Sequence, residues 1–282
     1  MFTTLISAAE LRRCSQANWI ILDCRHDLSD PGAGRIAYAA GHLPHAQFAH
    51  LDLDLSGSKA GPNGIFYGRH PLPDRADFIH TLRSWGVDNG TQVIAYDAHG
   101  GIYAARLWWL LRWVGHPAVA VLDGGIDAWL REKQPLSTLP VTATHGEIQS
   151  RPALVSHVRL EEVLANLGTQ AKTLVDARSP DRFRGENETM DPVGGHIPGA
   201  KNRFFKNNLQ ENGCFKPAAI LRDEWLAVIG QPENAIMQCG SGVTACHNLL
   251  ALEVAGMPGA ALYAGSWSEW CAVPSRSVVV GD

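Results

Sequence analysis

Short apolar runs alternate with segments of helical periodicity along most of the chain. The predicted strands span residues 20–23, 93–96, 174–177 and 235–238, and the predicted helices span residues 104–114, 158–167 and 245–255. Ser7 and Glu10 have the spacing of a capping box, which predicts a helix start before Leu11. Because strands and helices alternate, the sequence predicts an α/β fold with parallel sheets flanked by helices. In such folds ligands bind at the carboxyl ends of the strands.

The chain carries the same series of sequence blocks twice. Four pairs match in the same order: ILDCRHDL with LVDARSPD, GHLPHAQF with GHIPGAKN, QVIAYDAHGG with AIMQCGSG, and VGHPAVAVLDGGIDAWL with AGMPGAALYAGSWSEWC. This repetition predicts two tandem homologous domains, at residues 1–140 and 153–282, each of an ordinary domain size. The join falls within residues 136–156, where Pro140 and Pro152 stand among small polar residues, a composition typical of a linker.

Composition narrows the classes of function. The 282 residues are 45% hydrophobic and 18% charged, with a net charge of −4. The sequence has no basic segment of the kind that predicts nucleic-acid binding. The longest apolar run, at 107–114, contains an arginine and is too short for a membrane span. The first residues lack the pattern of a signal peptide, and the six cysteines form no CxxC pair. We therefore expect a cytoplasmic enzyme with reduced thiols, no metal and no organic cofactor.

A thiol stands where one of the predicted strands ends. In IMQCGSGVTACH, residues 236–247, the apolar run stops at Cys239, and Gly240 and Gly242 precede the predicted helix. Such a corner can curl so that backbone N–H groups and the helix N-terminus point at the sulfur. These groups stabilise a thiolate, the nucleophilic form of cysteine. We therefore interpret Cys239 as a nucleophile rather than as a buried small side chain.

The repeat supplies a comparison for this cysteine. At the matching strand end the first repeat has Asp97, followed by a loop that is one residue longer. The same scaffold thus occurs twice and only one copy carries the thiol, which favours a chemical role. A cysteine phosphatase uses a similar corner but needs an arginine six residues after the cysteine to hold phosphate oxygens. Ala245 stands there, so a phosphatase is not expected.

With these motifs, the chain resembles two-domain rhodanese-family sulfurtransferases over nearly its whole length. CGSGVTA at 239–245 resembles the active-site loop of the members that use 3-mercaptopyruvate, and GHLP, GHIP, DGG and GSWSEW also match family patterns. Members that use thiosulfate typically carry basic residues where Gly240 and Ser241 stand here. The resemblance therefore favours 3-mercaptopyruvate as sulfur donor, with thiosulfate as the alternative.

The resemblance implies a double-displacement mechanism. Cys239 would take sulfur from the donor as a persulfide, with release of pyruvate, and pass it to cyanide or to an acceptor thiol such as thioredoxin. Such chemistry needs no cofactor because the cysteine carries the transferred group. A persulfide carrier that accepts one sulfur and then stalls without its partner is an alternative of a different class.

The resemblance also implies substrate-binding residues. Arg182, before a phenylalanine, matches the arginine that binds the substrate carboxylate in mercaptopyruvate enzymes. Those enzymes usually have a second arginine nine residues later, where this chain has Asp191, and Arg184 is our candidate to replace it. The loop residues expected to contact the donor are Gly240, Gly242, Val243 and Thr244.

A serine–histidine–aspartate set is proposed for the family as well. The loop serine matches Ser241, and the first repeat would supply His70, in RHPLP, and Asp52, in FAHLD. Asp52 would orient His70, and His70 would polarise Ser241 toward the substrate. The expected site therefore combines residues of both repeats.

Overall fold

The protein forms two compact units in the computed structural model, which describes residues 1–15, 18–61 and 64–282. Unit 1 comprises Met1–Ser56, Pro73–Leu154 and Gln210–Phe215, and unit 2 comprises Gly57–Leu72, Val155–Leu209 and Lys216–Asp282. Each unit thus includes a short segment from the other half of the chain, at 57–72 and at 210–215. The domain boundaries at 1–140 and 153–282 stay a prediction about the sequence repeat.

Unit 1 is built around a parallel sheet. Its strands are β1 (Leu5–Ile6), β2 (Ile20–Asp23), β3 (Ala46–Phe48), β4 (Val93–Tyr96) and β5 (Val119–Leu122), in the order β1-β5-β4-β2-β3. The helices of its described residues are α1 (Ala8–Cys14), α2 (Ala33–Ala40), α3 (Arg75–Ser84), α4 (Ala104–Trp113) and α5 (Gly125–Arg131). The predicted capping box is confirmed, because the Ser7 hydroxyl accepts the Glu10 N–H and the Glu10 carboxylate accepts the Ser7 N–H.

Unit 2 repeats this topology. Its strands are β6 (Ser156–Val158), β7 (Thr173–Asp176), β8 (Lys201–Asn202), β9 (Ala235–Gln238) and β10 (Ala261–Tyr263), in the order β6-β10-β9-β7-β8. Its α-helices are α6 (Leu160–Thr169), α7 (Pro180–Arg184), α8 (Ala218–Ile229), α9 (Thr244–Val254) and α10 (Ser266–Trp270), and short 3₁₀ helices span Phe205–Asn208 and Pro232–Asn234. The predicted α/β fold with two parallel sheets flanked by helices is therefore confirmed.

Burial explains which predicted elements match the observed ones best. The strands predicted at 20–23, 93–96 and 235–238 are β2, β4 and β9, with the same bounds. These strands have a neighbour on each side in their sheets, so their continuous apolar runs are unambiguous. Helix α4 contains residues 107–113 of the apolar run and is buried apart from Arg112, with Trp108 and Trp109 fully enclosed. Among the described residues, no helix is both long and apolar enough to cross a bilayer.

The helix that follows the cysteine loop lies deep in unit 2. In α9, residues 245–252 are all buried, so this stretch of the helix has no face exposed to solvent. It packs on β9 and on α8. Because the strand before the loop and the helix after it are both part of the core, the loop at 239–243 is held at both ends.

Candidate active site

Cys239 lies directly after β9, as the sequence predicts. The side chain is buried, with 2% of its surface exposed, and its Sγ accepts the N–H of Gly242 at 3.1 Å. Helix α9 starts at Thr244 after Val243, so the sulfur also lies near the positive end of the helix dipole. An amide donor aimed at the sulfur stabilises negative charge there, on a thiolate or on a persulfide.

Gly242 is required by the path of this loop. Its φ is +76°, a left-handed conformation, and an added Cβ would lie 2.4 Å from the carbonyl oxygen of Ala264. A side chain here would therefore move the amide that reaches the Cys239 sulfur. This is the reason why the sequence places glycine three residues after the cysteine.

The start of α10 fixes the other side of the loop. The N–H of Cys239 donates to Ser266 Oγ at 3.1 Å, and the N–H groups of Trp267 and Ser268 donate to the carbonyls of Cys239 and Gly240, both at 2.9 Å. Ser266 has a φ of +54°, and its hydroxyl donates to Tyr263 O at 2.9 Å. These bonds hold the backbone of the nucleophile in one position, which serves preorganisation.

The matching loop of unit 1 shows what such a loop can bind. The buried Asp97 carboxylate accepts four backbone N–H groups at 2.8–3.1 Å. Their donors are His99, Gly101, Tyr103 and Ala104. Unit 1 therefore uses its loop as an anion nest that a side chain of the same chain fills. In the cysteine loop, which is one residue shorter, the Gly242 N–H points at the Cys239 sulfur in a similar way.

We expect Asp97→Asn to reduce stability by about 2 kcal/mol, because the new NH₂ group would face two of the four N–H donors and leave them unsatisfied. Urea unfolding would measure this loss, with Asp127→Asn, at an exposed position of α5, as the matched control. An equal unfolding midpoint for both variants would contradict the assignment of Asp97 as the anion of this nest.

The segment at 57–72 brings two functional side chains to the cysteine loop within unit 2. Gly68 has a φ of +100°, and an added Cβ would lie 2.8 Å from the Gly265 carbonyl oxygen. The N–H of Arg69 donates to Ser268 Oγ at 3.1 Å. His70 Nδ1 lies 2.7 Å from Ser241 Oγ, and both side chains are buried. The pairing that the sequence predicts between His70 and Ser241 is therefore present in the structure.

The predicted aspartate of this set belongs to unit 1. Asp52 Oδ2 lies 3.9 Å from His26 Nε2, and the Asp52 N–H donates to His50 Nδ1 at 3.1 Å. Its link to His70 would join the two units and stays a prediction.

His26, His50 and Asp52 also have potential ligand atoms within 4.8 Å of one another, the spacing of a metal site. The hydrogen bond from Asp52 already uses one ring nitrogen of His50, which does not favour a metal there.

Arg182 lies over the loop, as expected for a donor-binding residue. Its Nη1 and Nη2 are both 3.7 Å from the position of a Cβ on Gly240. Its Nε and Nη2 donate to the Glu188 carboxylate at 3.0 and 2.8 Å, and Nη2 also reaches Asp191 Oδ2 at 3.3 Å. Glu188 thus fixes the guanidinium so that its terminal edge faces the residue after the nucleophile. Arg184 instead pairs with Glu186 near the surface, and its role in substrate binding stays a prediction.

Charges in this cluster shift the titration of its carboxylates. Burial raises the pKa of Asp191 and Glu188 adds to this, while Arg69 and Arg182 oppose it. Burial also acts against ionisation of Glu188, but its bonds to Arg182 lower the pKa overall. Glu188 is therefore a firm anionic partner of Arg182, whereas Asp191 is a less favoured anion beside two guanidinium groups.

Sequence reasoning missed Arg69 at this site. Its Nη2 lies 2.8 Å from the position of a Cβ on Gly240, nearer than Arg182. Its Nη1 makes an ion pair with Asp191. The available signal was its position next to His70, since a segment that brings one side chain to the loop also brings its neighbours.

These features are shared with a known family. The rhodanese-like domain model matches residues 7–132 and 159–273. A Pseudomonas aeruginosa protein named "Probable 3-mercaptopyruvate sulfurtransferase" is 43% identical over 282 residues, 99% of this chain and 98% of that protein. Bovine thiosulfate sulfurtransferase is 37% identical over 245 residues, 84% of this chain and 79% of that one. The structure of a Leishmania major 3-mercaptopyruvate sulfurtransferase has a TM-score of 0.82 and 30% identity, covering 96% of this chain and 74% of that chain.

The fold and the cysteine loop thus define a tandem rhodanese-like protein. With both repeats matched, the chain belongs to the rhodanese family.

Proposed function

We propose that this protein is a sulfurtransferase that moves sulfane sulfur through a Cys239 persulfide, with 3-mercaptopyruvate as the preferred donor. One observation carries the proposal. The Cys239 sulfur accepts a backbone N–H, and the residue after it, Gly240, lies under the terminal edge of the Arg182 guanidinium. A nucleophile and a carboxylate-binding guanidinium are therefore close enough to act on one small keto acid.

In the first half-reaction, the thiolate of Cys239 attacks the donor sulfur. An S–S bond forms as the C–S bond breaks, and the bonding electron pair leaves as the enolate of pyruvate. The paired Ser241 and His70 supply the proton that converts the enolate to pyruvate. In the second half-reaction an acceptor thiolate or cyanide attacks the outer sulfur, and the Cys239 thiolate is regenerated.

Thiosulfate is the second candidate donor. Arg69 and Arg182 both lie over Gly240, and two guanidinium groups suit a dianion. Gly240 and Ser241 add no positive charge of their own, which favours the mono-anionic keto acid. The test is thiocyanate formation from cyanide with each donor in turn. A higher kcat/KM with thiosulfate would overturn the donor assignment, and a single turnover with either donor would favour a persulfide carrier.

We propose a thiol such as thioredoxin as the acceptor and the cytoplasm as the location. All six cysteines are free, which suits a reducing compartment. Because Cys239 is buried, the acceptor must present its sulfur on a narrow or extended group.

We expect Ser241→Ala and His70→Ala each to reduce kcat for 3-mercaptopyruvate about tenfold, with water replacing part of the proton delivery. Turnover of thiosulfate should change less, because sulfite leaves as a stable anion and needs no proton. Steady-state kinetics with both donors measures the difference. Equal losses for the two donors would show that the pair holds the loop and does not deliver a proton.

A further inference from the structure

Two guanidinium groups converge on the backbone beside the nucleophile. The position of a Cβ on Gly240 is 2.8 Å from Arg69 Nη2 and 3.7 Å from both Nη1 and Nη2 of Arg182. The lack of a side chain at Gly240 is what lets both groups approach. An anion bound there would lie within reach of the Cys239 sulfur and of both cations.

In Arg69, Nη2 is the guanidinium nitrogen nearest to Gly240. Nη1 pairs with Asp191, whereas the buried Nε has no hydrogen-bond partner among the described residues. Nε and Nη2 form the side edge of the fork, which matches the two oxygens of a carboxylate or sulfonate. Nε is enclosed by protein atoms, so Nη2 is the nitrogen of this edge that an anion beside Gly240 reaches first.

We infer that Arg69 is the second donor-binding cation of this enzyme and that Asp191 is its positioning residue. The inference deepens the proposed function and rests on it. Mercaptopyruvate enzymes of the family usually have an arginine where this chain has Asp191. Here that position instead holds Arg69, 122 residues away in sequence, by an ion pair. The positive charge is thus kept at the site but comes from a different segment of the chain.

The charge balance of the site predicts a second effect. Arg178 is paired with Asp176 and Arg182 with Glu188, which leaves Asp191 as the carboxylate that bridges Arg69 and Arg182. Asp191 therefore holds Arg69 in place and also competes with the donor for both guanidinium groups. Neutralising it with a residue of the same shape should strengthen donor binding, because asparagine keeps an oxygen for Arg69 Nη1.

A mutant cycle distinguishes donor binding by Arg69 from mere neutralisation of the Asp191 charge. We expect Asp191→Asn to lower KM for 3-mercaptopyruvate severalfold and Arg69→Gln to raise it about tenfold, with kcat changed less. The informative comparison is the double variant Arg69→Gln/Asp191→Asn with Asp191→Asn alone. If Arg69 binds the donor, KM in the double variant stays about tenfold higher than in Asp191→Asn. Equal KM values would show that Arg69 only neutralises Asp191, and would overturn the inference.

The controls keep this result distinct from the proposed function. Arg222→Gln, at an exposed position of α8, is the matched arginine control, and we expect its KM to equal that of the wild type. A KM increase in Arg184→Gln with no increase in Arg69→Gln would assign the second cation to Arg184 instead. Running the cycle with thiosulfate as well shows whether the pair holds a carboxylate or a sulfonate. Sulfur loading of Cys239 in each variant tests the persulfide step by itself, whatever the KM values are.

Discussion

Cys239→Ser should abolish sulfur transfer from 3-mercaptopyruvate and from thiosulfate, while the protein stays folded. A serine hydroxyl is a far weaker nucleophile than a thiolate and cannot form a stable persulfide. The fold should tolerate the change because serine is slightly smaller and its oxygen can still accept the Gly242 N–H. The measurement is thiocyanate formation, together with the unfolding midpoint of the variant.

Mass spectrometry of the donor-treated wild type should find one added sulfur atom on Cys239. Trypsin does not separate Cys239 from Cys246, because the chain has no lysine or arginine between Arg222 and Arg276. Fragment ions between the two cysteines are therefore needed. Cys246→Ser is the matched control, since this buried thiol donates to Gly242 O at 3.2 Å and a serine hydroxyl can do the same. Sulfur on Cys246, with Cys239→Ser still active, would overturn the mechanism.

The parts of the site that follow from local pattern could be predicted from the sequence. Cys239 lies after a strand whose apolar run is continuous, and Gly242 is placed by a backbone conformation that favours glycine. The repeat predicted Asp97 as the counterpart of Cys239. It did not predict the four N–H groups that Asp97 accepts, because a loop conformation is not a property of residue types alone.

The parts that depend on long-range packing were harder to predict. His70 was found because the family resemblance names a histidine, whereas Arg69 beside it belongs to no pattern that the resemblance supplies. Its role depends on the ion pair with Asp191 and on the space above Gly240, and both arise only when the segment at 57–72 packs in unit 2. From the sequence, Asp191 indicated that the second carboxylate-binding arginine was missing. In the structure, Asp191 makes an ion pair with Arg69.

Arg182→Gln should raise KM for 3-mercaptopyruvate more than any other binding-site change, by about 150-fold. Removing one partner of a hydrogen-bonded charge pair at a largely buried site costs roughly 2–5 kcal/mol. A value of about 3 kcal/mol corresponds to that factor in kcat/KM, and the change falls on KM because the bound donor and the transition state share the carboxylate contact. The Arg182 side chain is 19% exposed and is held by Glu188, so little is lost to its own disorder. Steady-state kinetics measures KM and kcat/KM.

The loss has two physical sources, and a second pair of variants separates them. Without Arg182, Glu188 loses the partner that lowers its pKa, and Arg178 at 3.4 Å is the guanidinium that still favours its ionised form. The ionised carboxylate repels the donor, in addition to the loss of the guanidinium bonds. Glu188→Gln in the Arg182→Gln background removes the repulsion and should recover part of the affinity. Arg182→Lys keeps the charge but not the two-pronged geometry, and should fall between the wild type and Arg182→Gln. If Arg182→Gln leaves the kinetics with 3-mercaptopyruvate unchanged, the carboxylate binds elsewhere and the assignment of this donor fails, although transfer through a Cys239 persulfide can still hold.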